Sequence, residues 1–262
     1  MNGRLVGDDL IRLLELVKGA DSVELKLTVP EESHRSAIGA LGLDPLQAQI
    51  RQVFFFDTPD LALNAAGVVA RVRRIQGRDG DSVVKLRPVV PDELPADVRR
   101  LPTFGVEVDA MPEGYVCSAS MKAKVRADAV LRSISGGKRL SKLFSADQLS
   151  FYNTHAPTGL AIDDLSVLGP IFVLKLKLPP ATFAQRIVVE MWLYPDGARI
   201  LELSAKASPE EALTVAIDLR RFFEDKGIDT TGHQQTKTKN ALDFFAAELV
   251  ESGTHTATSE RA

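Results

Sequence analysis

The chain contains short stretches in which every second residue is apolar, separated by longer stretches with apolar residues every three or four positions. The clearest alternation is SVELKLTV, residues 22–29, where four aliphatic side chains lie between polar or charged ones. A period of two is typical of a strand with one apolar and one polar face. The same alternation, or a high content of aromatic and β-branched residues, predicts further strands at 49–56, 67–74, 82–87, 104–110, 160–167, 171–178, 186–194 and 198–206.

Helical periodicity predicts the remaining elements. Helices are expected at 8–18, 30–41, 208–227 and 239–250, and the amphipathic pattern from Cys117 to about His155 also predicts helix, broken at Gly136-Gly137. The pair Ser208-Pro209 marks a helix start, because a serine hydroxyl caps free backbone N–H groups and proline fits the first turn. The pattern therefore predicts one α+β domain over residues 1–250, with a strand core at about 22–206, C-terminal helices at 208–250 and a disordered tail at 251–262.

Charged residues occupy the polar face of six predicted strands, two on each. The pairs are Glu24/Lys26, Arg71/Arg73, Lys85/Arg87, Glu107/Asp109, Lys175/Lys177 and Glu202/Lys206. For a single strand, the ordinary interpretation is an antiparallel sheet with a solvated outer face. Repetition over six strands, with basic pairs on some and acidic pairs on others, favours a closed β-barrel of about eight strands. Its apolar face would be covered by the helices, and its charges would point inward.

Composition narrows the possible classes of protein. The formal net charge is −3, which argues against a nucleic-acid-binding protein because such proteins usually carry a strong basic excess. Cys117 is the single cysteine, so an internal disulfide framework and multi-cysteine metal sites are excluded. No uncharged apolar stretch approaches the roughly 18 residues that a membrane span needs. We therefore expect a cytoplasmic protein with neither a nucleic-acid nor a membrane partner.

The inward charges predict the kind of ligand. Eight basic residues would face five acidic ones, an excess of three positive charges: Lys26, Arg71, Arg73, Lys85, Arg87, Lys175, Lys177 and Lys206 against Glu24, Glu107, Asp109, Glu190 and Glu202. An enclosed site with this excess needs an anionic ligand, and Arg and Lys bind phosphate oxygens. Carboxylates alone would repel phosphate, so their presence predicts Mg²⁺ or Mn²⁺ between acid and phosphate.

A family resemblance lies in residues 54–74, FFFDTPDLALNAAGVVARVRR, which are similar to the YFDT-P-x-x-x-L…G…L-R-x-R segment of the CYTH or triphosphate tunnel metalloenzyme superfamily. SVVKLRP, VEVD and LELSAK follow in that family's order, and the resemblance covers roughly residues 22–245. It implies an eight-stranded antiparallel tunnel that binds or hydrolyses triphosphates with Mg²⁺ or Mn²⁺. It also implies the following roles: Arg71, Arg73, Lys85 and Arg87 bind phosphate, and Glu24 and Glu202 hold metal.

The chain departs from the family pattern at two positions. The family's opening signature is E-x-E-x-K, whereas this chain has Ser22-x-Glu24-x-Lys26. The last tunnel strand usually has two alternating acids, and here it reads Glu202-x-Ser204-x-Lys206. A serine hydroxyl binds a cation weakly or through water, so we expect reduced charge compensation for a metal and weakened or altered catalysis.

The main functional expectation is hydrolysis of the terminal phosphoanhydride of tripolyphosphate or a nucleoside triphosphate. Its expected catalytic residues are Lys26, Arg73 and Lys206. Further expected ligands are Lys175, Lys177, Lys206 and Arg139 for phosphate, and Glu107, Asp109 and Glu190 for metal. The protein would act as a monomer or homodimer.

Three alternatives stay open from the sequence. Adenylate cyclase chemistry would make cyclic AMP from ATP, and a non-catalytic module would bind polyphosphate or nucleotides without turnover. A plain barrel with a polar outer face would bind no phosphate. Trp192 and Tyr194 share the face of Glu190 and could stack on a nucleobase, although packing is the more frequent role of such aromatics.

Overall fold

A computed structural model describes residues 7–137, 139–179, 182–229 and 237–259. The strands are β1 (Ser22–Val29), β2 (Gln49–Asp57), β3 (Val68–Ile75), β4 (Arg78–Leu86), β5 (Phe104–Met111), β6 (Gly114–Val125), β7 (Ser166–Lys177), β8 (Ile187–Leu193) and β9 (Arg199–Ala207). The α-helices are α1 (Gly7–Gly19), α2 (His34–Ala40), α3 (Ala62–Ala65), α4 (Ala96–Arg99), α5 (Ala127–Ile134), α6 (Ala146–His155), α7 (Ala212–Asp225) and α8 (Lys237–Ser259). None of these described helices has the length and apolar character needed to cross a membrane.

The strands form one sheet that closes on itself in the order β1-β5-β6-β4-β3-β2-β7-β8-β9. This confirms the predicted α+β class and the closed barrel. The predicted eight-stranded antiparallel arrangement is wrong in two respects. The described residues form a barrel of nine strands, and β1 pairs with β5 in parallel. Strand direction depends on which distant segments meet, and the alternation of side chains within one strand does not encode it.

The region from Cys117 onward was predicted as helix, and this is wrong for its first part, which is β6. Cys117, Ala119 and Met121 do alternate with Ser118 and Ser120, but all five are buried. The serines and alanines give the strand little contrast between its faces. The residue types of this segment therefore predict a helix. In the structure the segment is a strand because both of its faces are buried, and this tertiary environment outweighs the local preference.

Strand β7 replaces two predicted strands, at 160–167 and 171–178, with one continuous strand. The strand passes through Gly169, whose φ is 139°. A Cβ atom there would lie 2.8 Å from the carbonyl oxygen of Val53, so this position requires glycine. The start of the first predicted strand is instead a short 3₁₀ turn, Ile162–Asp164.

The chain divides into two compact units. Unit 1 is Met1–Ile50, Arg87–Ser120 and Val173–Gln235, and unit 2 is Arg51–Leu86, Met121–Phe172 and Thr236–Ala262. The single domain expected over 1–250 stays a prediction.

The core of unit 1 lies between the apolar faces of its strands and two helices. Leu27 of β1 and Leu203 of β9 belong to one buried cluster with Leu219 and Phe223 of α7, and with Ala37 of α2. Burying a side chain the size of leucine contributes about 1.5–3 kcal/mol. The helices therefore cover the apolar face of β1 and β9, and the charged side chains of these strands lie on the opposite face, as the alternation predicted.

Candidate functional site

The charged face of unit 1 is assembled by the two neighbours of β1. Glu24 is the register partner of Asp109 in β5 and of Lys206 in β9. Ser22 is likewise the partner of Glu107. Because directly opposed residues of neighbouring strands share a face, the pairing brings side chains from three distant segments together.

Three carboxylates meet on this face: Glu24, Glu107 and Asp109. One oxygen from each lies within 4.8 Å of the others, and Asp109 is only 4% exposed. We call this group the carboxylate trio. Carboxylate oxygens are the ligands that Mg²⁺ and Mn²⁺ prefer, so the trio fits the divalent cation that the family resemblance of the sequence implies.

Lys26 holds two members of the trio together. Its Nζ atom lies 2.7 Å from Asp109 Oδ1 and 3.1 Å from Glu24 Oε2. Burial alone lowers the pKa of Lys26, but Glu24, Asp109 and Glu202 more than offset this, and the net pKa is raised. Lys26 therefore stays protonated at neutral pH.

The third member of the trio, Glu107, has a lysine of its own. The ammonium group of Lys206 forms an ion pair with Glu107 Oε2, and Ser22 Oγ donates a hydrogen bond to the same oxygen at 3.3 Å. Burial lowers the pKa of Lys206, but the charge of Glu107 and its hydrogen bond reverse this and raise it.

Arg87 lies directly after β4 and belongs to unit 1. Burial lowers the pKa of its guanidinium, and Asp109 partly offsets that effect. An arginine with a lowered pKa still carries its charge at neutral pH. Arg87 therefore adds a cation close enough to interact electrostatically with the trio.

A second charged group lies on β7 and β8. Lys175 Nζ is 3.2 Å from Glu190 Oε1, and Trp192 Nε1 donates to Glu190 Oε2 at 3.3 Å. Glu190 is the register partner of Glu202 in β9, and neither acid belongs to the carboxylate trio. Lys177, two residues beyond Lys175, is exposed.

The two aromatic residues near this group are packed into the protein. Trp192 is 4% exposed and Tyr194 is 7% exposed. Burial, with the nearby charges of Asp196 and Glu202, raises the pKa of the Tyr194 hydroxyl. With so little surface accessible, both favour packing over stacking on a nucleobase.

In unit 2, three predicted phosphate ligands share one face of the β3–β4 hairpin. Arg71, Arg73 and Lys85 lie on this face, because Arg71 pairs with Val83 and Arg73 with Asp81 in an antiparallel register. Arg73 Nε donates to Asp81 Oδ1 at 2.9 Å. The expectation that these three basic residues share a face is thereby confirmed within unit 2.

Sequence reasoning missed two charged residues on this face. One is Asp81, the partner of Arg73, and the other is Arg51 of β2, which is 6% exposed. Arg51 is aligned with Ile75, while Val53 is aligned with Arg73, so Arg51 shares the face of Arg73. The sequence does place Arg51 two residues before Val53, and therefore on the same face of β2. It was missed because Val53 is uncharged, so Arg51 forms no pair of charges with a spacing of two.

The DTP part of the family-like segment builds the turn after β2. The Asp57 carboxylate accepts hydrogen bonds from the backbone N–H groups of Thr58, Leu63 and Asn64 at 2.8, 2.8 and 2.9 Å. Thr58 Oγ1 accepts from the N–H of Ala62 at 2.8 Å. Asp57 is 1% exposed, so this part of the motif shapes the connection that leads into β3.

Arg139 is exposed at the start of a 3₁₀ turn, Leu140–Leu143, in unit 2. The expected basic loop also includes Lys138, which lies outside the described residues. Its predicted contact with phosphate stays a prediction.

Comparison with known proteins gives a match at the level of fold. No family model matches the sequence, and no curated protein is similar to it. A candidate adenylyl cyclase from Hippeastrum with a dominant triphosphatase activity is 15% identical, with a TM-score of 0.59 over 81% of this chain and 91% of that one. A candidate adenylate cyclase from Bacillus halodurans is 12% identical, with a TM-score of 0.57 over 84% and 97%. The chain therefore shares the fold of these two solved structures.

Proposed function

We propose that the protein binds a triphosphate with Mg²⁺ or Mn²⁺ and hydrolyses its terminal phosphoanhydride. The observation that carries this proposal is the carboxylate trio with Lys26 between two of its members. A cluster that combines carboxylates with ammonium groups suits a metal–phosphate complex, because the acids bind the cation and the lysines bind phosphate oxygens. The likeness in fold to the Hippeastrum protein with triphosphatase activity supports the same reaction.

Glu24, Glu107 and Asp109 would hold the divalent cation. When bound, such a cation neutralises phosphate oxygens and lowers the pKa of a coordinated water. Glu190 and Glu202 lie outside the trio, and their role as metal ligands stays a prediction.

The basic residues would position the triphosphate and stabilise the charge that develops on its oxygens. In unit 1 this role is proposed for Lys26, Arg87, Lys175, Lys177 and Lys206, and in unit 2 for Arg71, Arg73, Lys85 and Arg139. Phosphoryl transfer depends mostly on positioning and electrostatic stabilisation, with little covalent chemistry for the protein to perform. Substitution of Arg73 gives the clearest test, because Arg73 Nε donates to Asp81 and this hydrogen bond restricts the orientation of the guanidinium group.

The test measures orthophosphate release from tripolyphosphate, ATP and GTP with Mg²⁺, Mn²⁺ or chelator. We expect metal-dependent release that falls at least tenfold in Arg73→Ala, a loss of about 1.4 kcal/mol of transition-state stabilisation. The matched control is Arg74→Ala, since Arg74 lies on the opposite face of β3 and donates to Gln52 Oε1 at 2.8 Å. Equal rates for both variants would refute the role of Arg73.

Products decide between this reaction and the alternatives. Cyclic AMP and pyrophosphate from ATP would indicate cyclase chemistry. Tight calorimetric binding of tripolyphosphate without turnover under any metal would indicate a binding module. The reason to consider this alternative is that Ser22 and Ser204 stand where the family pattern has acids. No binding of any phosphate would leave a barrel with a structural polar face.

A further inference from the structure

Two lysines contact the carboxylate trio, and the structure holds them differently. Lys26 reaches both Glu24 and Asp109, and its side chain is 17% exposed. Lys206 forms its ion pair with Glu107 from a side chain that is 54% exposed. A solvated lysine on a flexible aliphatic chain leaves a carboxylate more easily than a buried, bridging one.

Lys206 forms an ion pair with a carboxylate that would also be a metal ligand. Glu107 is one of the three trio members, and its Oε2 already accepts hydrogen bonds from both Lys206 and Ser22. An ammonium group and a divalent cation compete for the same oxygen lone pairs, because both need them unprotonated and close. A cation that binds all three carboxylates therefore competes with Lys206 for Glu107.

The sequence departures act in the same direction. Ser22 donates to the Glu107 oxygen that Lys206 also contacts, and Ser204 is the register partner of Lys26. Serines therefore lie at two positions of this site where the resemblance leads one to expect acids. Lys26 and Lys206 supply two positive charges against the three negative charges of the trio. The repulsion among the carboxylates is thus largely offset by the protein itself.

We propose that Lys206 is an exchangeable counter-cation. It neutralises Glu107 in the metal-free protein, is displaced when Mg²⁺ or Mn²⁺ binds the trio, and so weakens the metal affinity of this chain. This inference rests on the proposed function in one respect, the assignment of the trio as the metal site. In this proposal, Lys206 acts first as the counter-ion of Glu107 and contacts phosphate only after a metal has displaced it.

The test is calorimetric titration of the full chain with MnCl₂ in the absence of any triphosphate. Lys206→Met should bind Mn²⁺ about tenfold more tightly than the wild type, because the competing cation is gone. Lys226→Met is the matched control for the general loss of a positive charge, since Lys226 is exposed directly after α7, outside the charged strand faces. The Mn²⁺ affinity of this control should stay within about twofold of the wild type. Equal Mn²⁺ affinity for the two variants would overturn the proposal, as would no Mn²⁺ binding by the wild type and Lys206→Met.

A second measurement needs no variant and so does not depend on whether Lys206→Met folds. Saturating Mn²⁺ should raise the rate at which an amine-reactive reagent labels Lys206, read by mass spectrometry, and leave the labelling rate of Lys226 unchanged. A labelling rate at Lys206 that Mn²⁺ does not alter contradicts displacement. Neither readout uses phosphate release, so exchange without hydrolysis would refute the proposed function and not the exchange.

Discussion

At the scale of single residues, Asp57 stabilises the protein through backbone hydrogen bonds. Its two carboxylate oxygens serve three N–H groups, from Thr58, Leu63 and Asn64. Burial raises the pKa of this carboxyl, and the same hydrogen bonds act against the rise. The turn that it builds thus explains the DTP part of the family-like segment.

Removing this carboxylate should destabilise the fold. Asp57→Ala leaves three donors without their acceptor, and each buried unsatisfied donor costs about 1–3 kcal/mol. We expect the free energy of unfolding in urea to fall by about 3 kcal/mol. Asp60→Ala in the same turn is the control, because Asp60 is exposed, and its effect should stay within about 0.5 kcal/mol. Similar losses for both variants would contradict the capping role.

At the scale of secondary-structure elements, Gln148 connects α6 to two strands. This side chain is fully buried. Its Nε2 donates to the carbonyl oxygens of Ser82 and Met121 at 2.9 and 3.0 Å, and its Oε1 accepts from Ser82 Oγ at 2.8 Å. Gln148 also completes the capping box of α6 with Ser145. One amide therefore fixes the helix against β4 and β6 while capping its first turn.

Truncation of this amide should loosen α6 from the sheet. In Gln148→Ala, buried carbonyl groups of β4 and β6 lose their donor, and we expect a loss of about 3 kcal/mol in the free energy of unfolding. Gln52→Ala is the matched control, since Gln52 is half-buried and accepts one hydrogen bond, from Arg74. Its loss should be about 1 kcal/mol. Hydrogen exchange should show α6 amides losing protection in Gln148→Ala, and unchanged protection would argue against the anchor.

The same scale shows which elements the sequence could predict. Strand β1 was predicted with its exact bounds because its aliphatic and charged residues differ sharply in polarity and one face is covered by helices. Strand β6 was missed because Ser118 and Ser120 are buried beside its apolar residues. Local alternation thus identifies a strand only where its two faces meet different surroundings.

The composition of the site was predictable, and its internal pairing was not. The charged residues of β1, β5 and β9 were all identified as sharing a face, and alternation alone carries that information. The trio itself depends on the parallel register of β1 with β5, which joins segments more than eighty residues apart. No local pattern encodes such a pairing, so the ion pairs of Lys26 and Lys206 emerged only from the structure.

At the scale of the whole molecule, a ligand that binds only the folded state stabilises it by RT ln(1 + [L]/Kd), where [L] is the free ligand concentration. The stabilisation at a concentration of 100 Kd is about 2.7 kcal/mol. For a chain of 262 residues, each kcal/mol corresponds to a rise in Tm of roughly 2–4 °C. A charged face that binds a triphosphate should therefore produce a shift large enough to measure by thermal unfolding.

We expect tripolyphosphate with Mg²⁺ or Mn²⁺ to raise the Tm by about 5–10 °C at 100 Kd. At the same concentration, pyrophosphate should raise the Tm less and orthophosphate least, because shorter chains contact fewer of the basic residues. Sulfate at matched ionic strength is the control for general anion binding, since screening acts on all exposed charges alike. A shift that is the same for sulfate and for every phosphate chain length would mean that the charged strand faces interact with anions without recognising a triphosphate.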